Sequence, residues 1–336
     1  MAERIQEKYL FKNVLGTGTF GKVVLGREID NHQNYVAIKC IDNKRKVPEF
    51  ARNQIEALQL LAHKNIEKLY ATYEDKNYTY LVLELASGGE LFESIIEKGN
   101  YSEKDASDIL RQVLDAVDYM HEKGIVHRDL RPEKLLCMDS SPNPRILVTG
   151  FSGCYIDRDG SPITRRIGAP GYIAPEVLNS KPYGKEVDLW AVGTILYILL
   201  CGYMPFSGEN EKEVLQKNRS GVYDFDSRHW EVISESGKDL VAKLMNLDAQ
   251  ARLTAGQALE HDWIVGDGAS LKDISLMVCT ELRNTIAKQK WMKVFNVVNA
   301  VNQMQLMAGV SAAKDDENVE DLTVKNNKKS QVCSIV

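Results

Sequence analysis

Apolar and polar positions along the chain change character three times. From Tyr9 to about Leu85 the runs are short and β-rich: Tyr9–Leu15, Lys22–Glu28 and Tyr35–Ile41, separated by glycine or by Asp30-Asn31-His32 turn signals. One helix interrupts them. Over Val47–Leu61 the residues Val47, Phe50, Gln54, Leu58 and Leu61 recur at steps of three and four, so they share one inward face. After Ser87-Gly88-Gly89 the spacing becomes helical, with amphipathic helices expected over 91–98, 103–123, 185–203, 210–218, 235–247 and 254–260. A β-rich first part followed by a helical second part predicts an α+β protein in two lobes. From about Gly266 onward a single long amphipathic helix is expected. The Asp/Glu/Asn/Lys-rich stretch 314–330 has too few apolar residues to bury, and reads as disordered.

Composition narrows the classes without choosing one. The 336 residues are 44% hydrophobic and 26% charged, ordinary globular usage. A net charge of −5 argues against a protein that coats nucleic acid with a basic face. No apolar run approaches the ~20 residues of a membrane-spanning helix. The start, MAERIQEKYL, has neither an apolar signal region nor a glycine after Met1 to accept myristate. Six cysteines, at 40, 137, 154, 201, 279 and 333, form no C-x-x-C pair and are expected to be reduced thiols of a cytoplasmic protein.

Chemistry enters with Gly16-Thr17-Gly18-Thr19-Phe20-Gly21-Lys22-Val23, which fits G-x-G-x-x-G-x-V. A dinucleotide fold needs a helix after the third glycine, whereas here a strand follows. A glycine-rich hairpin over nucleotide phosphates is one reading of the loop, and a plain β-turn is the other. Sixteen residues beyond Val23 lies Lys39, at the end of the apolar run Val36-Ala37-Ile38. A buried ammonium there needs an anionic partner, which a phosphate would supply.

Further on come His127-Arg128-Asp129-Leu130, Gly150-Phe151, Ala174-Pro175-Glu176, Asp188-Leu189-Trp190, Arg252 and the stretch Ser87–Phe92. In that order these motifs resemble a eukaryotic protein kinase over residues 9–264. The runs APGYIAPEVL and CGYMPFSGEN resemble the calcium/calmodulin-dependent kinases, type I in particular. The resemblance implies a two-lobed kinase fold, with a small lobe at 9–85 and a helical lobe at 91–264. It implies ATP contacts at Gly16, Gly18, Gly21, Val23, Ala37, Lys39, Glu84 and Ala86, with Asp129 as the base. Glu90 and Glu133 resemble positions that hold substrate arginines, so a basic peptide is an expected ligand of the groove.

Against that family several positions differ. Gly150 stands where the family has a magnesium-binding aspartate, and Lys134 stands at the asparagine that is the other metal ligand. Arg131 replaces the lysine that touches the transferring phosphate, and Gln54 replaces the helix glutamate that pairs with Lys39. Glu56 lies about 200° around the helix and cannot easily take over. Arg165 and Ala169 occupy two activation-segment threonine positions, so Arg128 is expected to face arginines and like charges to oppose an ordered loop. No metal site is expected. Lys134 and Lys39 together can neutralise ATP without magnesium, so nucleotide binding is compatible with lost turnover. The resulting expectation is a pseudokinase-like signalling module, the alternative being a slow or metal-independent serine/threonine kinase.

Residues 283–304 carry Trp291, Phe295, Val298 and Met304 on one side of a helix, with Arg283, Lys288, Lys290 and Lys293 and no acid among them. Trp291 and Met304, thirteen apart, suit two anchors in the two lobes of calmodulin; the other reading is a helix packed on the kinase core. Residues 265–308 are accordingly expected to be autoinhibitory and calmodulin-binding, and 309–336 a disordered tail. The end, Cys333-Ser334-Ile335-Val336, can be read three ways: prenylation of Cys333 with peripheral membrane attachment, a PDZ-domain ligand, or a plain terminus.

Overall fold

The computed structural model describes residues 4–18, 21–43 and 48–288. A five-stranded antiparallel sheet forms the small lobe: β1 (Tyr9–Gly18), β2 (Gly21–Glu28), β3 (Tyr35–Asp42), β4 (Leu69–Glu74) and β5 (Tyr78–Leu83), in the order β1-β2-β3-β5-β4. Short α1 (Ile5–Lys8) precedes it, and α2 (Pro48–Leu60) lies between β3 and β4. The strand period of two divides β3 cleanly. Val36, Ile38 and Cys40 enter a core with Ile5, Tyr9, Val24, Tyr80 and Val82, while Ala37 and Lys39 take the opposite face.

The helical lobe contains α3 (Leu91–Lys98), α4 (Glu103–Glu122), α5 (Pro175–Leu178), α6 (Glu186–Cys201), α7 (Glu211–Ser220), α8 (Glu235–Leu244), α9 (Ala255–Leu259) and α10 (Asp262–Val265). Two small antiparallel ladders complete it: β6 (Ile125–Val126) with β9 (Tyr155–Ile156), and β7 (Leu135–Cys137) with β8 (Ile146–Val148). The Ser102 side chain caps α4, and Asp105 answers with a bond from the Ser102 backbone N–H at 2.8 Å.

One expected helix differs in kind. The 185–203 segment is not amphipathic: every residue of α6 from Val187 to Cys201 is buried, Asp188 and Thr194 included. It is enclosed by the helical lobe, with α4 and α8 packed against it, so it is apolar all round. Gly202, at φ +84°, lets the chain leave α6 in the left-handed region. Further along, residues 275–288 are helical, and Val278, Cys279 and Leu282 of that helix are buried in the same compact unit, which ends at Thr285. Thr285 Oγ1 donates to the Gly202 carbonyl at 2.9 Å.

Candidate active site

Lys39 is placed by β3 facing away from the small-lobe core, where α2 and the turn after β8 meet it. Its ammonium donates to Gln54 Oε1 at 2.6 Å and to Ser152 Oγ at 2.7 Å. Gln54 is 1% exposed, as the helical spacing predicts. Ala51, Ala57 and Leu58 of α2 are buried with it, as is Leu61 just past its end, while Val47 lies outside the described residues. The Gln54 amide passes the network on: Nε2 donates to Glu67 Oε1 at 3.4 Å, and the same oxygen accepts the Gly150 backbone N–H at 2.8 Å. Ser152 Oγ closes the ring on Gln54 Oε1 at 3.1 Å.

Glu67 was not among the residues picked out from the sequence. It sits just ahead of β4, is 7% exposed, and is the carboxylate nearest to this lysine in the network. Burial pushes its carboxyl pKa above the usual range, against the pull of Lys39 and of the Gly150, Lys134 and Phe151 neighbours. Enclosure lowers Lys39 to about 8; Glu67 opposes that shift and Lys134 adds to it.

Gly150 and Lys134 are brought together by the β7–β8 ladder, in which Leu135 pairs with Val148. The Thr149 N–H donates to the Lys134 carbonyl at 2.8 Å. Gly150 has φ +85°, and a Cβ there would stand 2.6 Å from Lys134 Cδ and 2.9 Å from Nζ. The lysine side chain therefore fills the space that a side chain at 150 would use. Next to it Phe151 is fully buried, with its ring edge-on to His127 at 4.8 Å.

Asp129 keeps its position on a tightly held loop. Asp188, buried in α6, accepts the His127 and Arg128 N–H groups at 2.8 Å each and also contacts His121 at 2.9 Å. These bonds hold Arg128 at φ +67°, a left-handed conformation rare for arginine. Burial alone would raise the Asp188 carboxyl, but the His121 contact and the backbone donors bring it below its ordinary value. Asp129 Oδ1 lies 3.5 Å from Arg131 Nε, and Arg131 Nη1 is 3.4 Å from Glu133 Oε1.

Residues 9–264 match the family model of the protein kinase domain. The chain is 45% identical over 305 residues to calcium/calmodulin-dependent protein kinase type 1 of Caenorhabditis briggsae, covering 90% of this chain and 85% of that protein. It is equally identical over 306 residues to the type 1 enzyme of Macrobrachium nipponense, covering 90% and 88%. The Homo sapiens type 1B enzyme is 42% identical over 310 residues, covering 92% and 90%. The chain belongs to the calcium/calmodulin-dependent protein kinase family.

Set against that family, the residues at the two magnesium-ligand positions do not fit the metal. Gly150 offers no oxygen from a side chain, and Lys134 brings a cation to the place where a dication would be held. Phosphates fit better. A Cβ at Gly16 would meet nothing within 4 Å, so the hairpin backbone there is unobstructed, and the Lys39 ammonium is a charge-assisted donor. Val23 pairs with Lys39 across β2–β3, and Ala37 stands two residues before it on β3, so both lie on the sheet face that carries Lys39. Gly18 pairs with Gly21 at the hairpin, whose tip, residues 19 and 20, lies outside the described residues. Glu84 turns its carboxylate to Arg145 at 2.6 Å, which leaves its backbone carbonyl as the part able to meet a ligand; Ala86 follows it, half-buried.

Contrary to expectation, Arg128 does not face the activation-segment arginines. Arg128 donates to the Gly153 and Cys154 carbonyls at 2.7 and 3.1 Å and lies over Tyr155, instead of meeting Arg165. Arg165 stacks on Phe50 of α2 at 4.7 Å, and Arg158 makes a two-pronged pair with Glu56 at 2.6 and 2.7 Å. The like charges of Arg128, Arg158 and Arg165 are separated because each of these three has its own partner. Trp291, Phe295, Val298, Met304 and Cys333 lie outside the described residues.

Proposed function

We propose that this chain is a calcium/calmodulin-responsive kinase-fold protein that binds nucleotide through Lys39 and Lys134 without magnesium, and that it works in signalling chiefly as a binding module. The observation that carries the proposal is the Lys134 side chain filling the space beside Gly150. Phosphoryl transfer by the family's route needs metal to neutralise developing charge, and each missing electrostatic part is worth roughly 10²–10³ in rate. In this reading Lys39 and Lys134 hold the phosphates, the glycine hairpin covers them, and Phe151 keeps the cleft wall packed.

A second reading stands on Asp129, which keeps the base position beside a packed Phe151. It is a slow or metal-independent serine/threonine kinase. Single-turnover phosphorylation of a basic peptide by the full chain, with magnesium and with chelator, separates the two. Turnover abolished by Asp129→Asn supports the kinase, and none above the Asp129→Asn background supports the binding module.

Calmodulin is proposed as partner because the relatives are named for it and because 283–304 has the spacing of a target. The working division is 9–264 for the kinase-like domain, 265–308 for regulation and 309–336 for the tail. Three of the four tryptophans, Trp190, Trp230 and Trp263, are fully buried. A calcium-dependent fluorescence change on adding calmodulin that is absent in Trp291→Phe supports this assignment. Peripheral attachment through Cys333 is read by intact mass of the protein from eukaryotic cells.

A further inference from the structure

Two acids of the family pattern are replaced in this site, at positions 54 and 150, yet the lysine that the first would pair with stays oriented. Gln54 cannot neutralise Lys39, and Gly150 cannot neutralise anything. Among the described residues, the polar network around Lys39 holds a single carboxylate, and it comes from a third element: Glu67, on the chain leading into β4. Its Oε1 accepts from Gln54 and from the Gly150 N–H, so it reaches the lysine side and the turn side of the cleft at once.

We infer that Glu67 is the relocated counter-charge of this site, a positioning residue that holds Lys39 charged through Gln54 and fixes the Gly150–Ser152 turn so that Lys39 and Lys134 present to phosphate together. The inference rests on the nucleotide reading above for its ligand but not for its geometry. Charge accounting favours it. With Glu67 ionised, the two lysines and one carboxylate leave the cleft with one excess positive charge, attractive to metal-free phosphate. Without it, two facing cations share a desolvated space, and one loses its proton. A purely structural acid would cap the Gly150 N–H and have no effect on the lysine.

The groups facing Lys39 are Glu67 from the β4 lead-in, Lys134 from the turn before β7, Gln54 from α2 and Ser152 from the turn after β8. The test follows the Lys39 proton in the full chain without nucleotide, by the side-chain carbon resonance of labelled lysine, assigned through its loss in Lys39→Met. Glu67→Gln keeps an acceptor for Gly150 and removes only the charge. Its Lys39 midpoint is expected to fall from about 8 toward about 7. Glu67→Asp keeps the charge and is expected to restore the wild-type midpoint. If Glu67→Gln leaves the midpoint in place, or Glu67→Asp lowers it as far as Gln does, the inference is overturned. ATP titrated in chelator over the same pH range forms a second arm, whose affinity midpoint should move with that of Lys39. Absence of ATP binding to the wild type would sink the nucleotide reading alone, because the lysine titration still decides the role of Glu67.

Discussion

Lys134 stands in the place of a side chain that Gly150 does not have, its Cδ 2.6 Å from where that Cβ would be. The two substitutions are therefore one structural change, and neither is reversible alone. Gly150→Asp by itself meets Lys134 and forces an aspartate to φ +85°, which costs about 1–2 kcal/mol of stability. Lys134→Asn by itself leaves no carboxylate for a metal. The double variant is expected to make ATP affinity magnesium-dependent by about tenfold or more, whereas each single variant falls short of that. Calorimetric titration of the four proteins with ATP, with and without magnesium, reads the coupling.

Lys39 also gives a pH signature of its own. Its folded pKa, about 8, lies below its unfolded value near 10.5, so between those values the unfolded chain holds the proton that the folded chain has released. Folding stability from this group thus rises with pH over that window and is flat below it. The difference between wild type and Lys39→Met isolates the contribution from other groups. Denaturant unfolding at pH 7.5 and 10 should show wild type gaining relative to Lys39→Met. Equal changes in both would contradict the burial of this ammonium.

Arg252 and Glu176 tie the loop before α9 to α5 with contacts of 2.7 and 3.1 Å, and the arginine side chain is fully buried over Trp190. Removing one partner strands the other charge. Arg252→Ala is expected to cost about 3–5 kcal/mol, or roughly 6–20 °C in melting temperature. Arg252→Lys should recover little, because an ammonium cannot reproduce the fork.

The activation segment is held against α2 by Arg158 on Glu56 and Arg165 on Phe50, contacts that need no phosphate. The Glu56–Arg158 pair is exposed and screened by solvent, so it contributes little. The stacked pair is worth about as much. Arg158→Ala and Arg165→Ala should each lower hydrogen-exchange protection across 155–168 roughly twofold to fivefold. Phosphatase treatment should leave the wild-type protection unchanged, and its loss would contradict a phosphate-independent latch.

Much of this was readable from residues alone, for identifiable reasons. The G-x-G-x-x-G hairpin was distinguishable from a dinucleotide motif because a strand, not a helix, follows Gly21. Gln54 was legible because a three-four period on α2 leaves it no other face. Glu67 was not legible. In Ile66-Glu67-Lys68-Leu69 a single acid after an apolar residue reads as the solvent face of a strand, yet Ile66 and Glu67 are both buried because the segment runs between the lobes. The destination of Arg165 was equally hidden, since nothing local in Thr164-Arg165-Arg166 points to Phe50, more than a hundred residues earlier. The period rule failed for α6 in the opposite sense: an element buried all round has no polar face to keep time.

Whether lysine takes the place of metal at the phosphate site is decided by titrating ATP into the full-length wild-type protein, once in excess magnesium and once in excess chelator. Affinity in chelator should equal or exceed that in magnesium, and Lys39→Met should abolish it. Binding that appears only with magnesium would contradict that role for lysine.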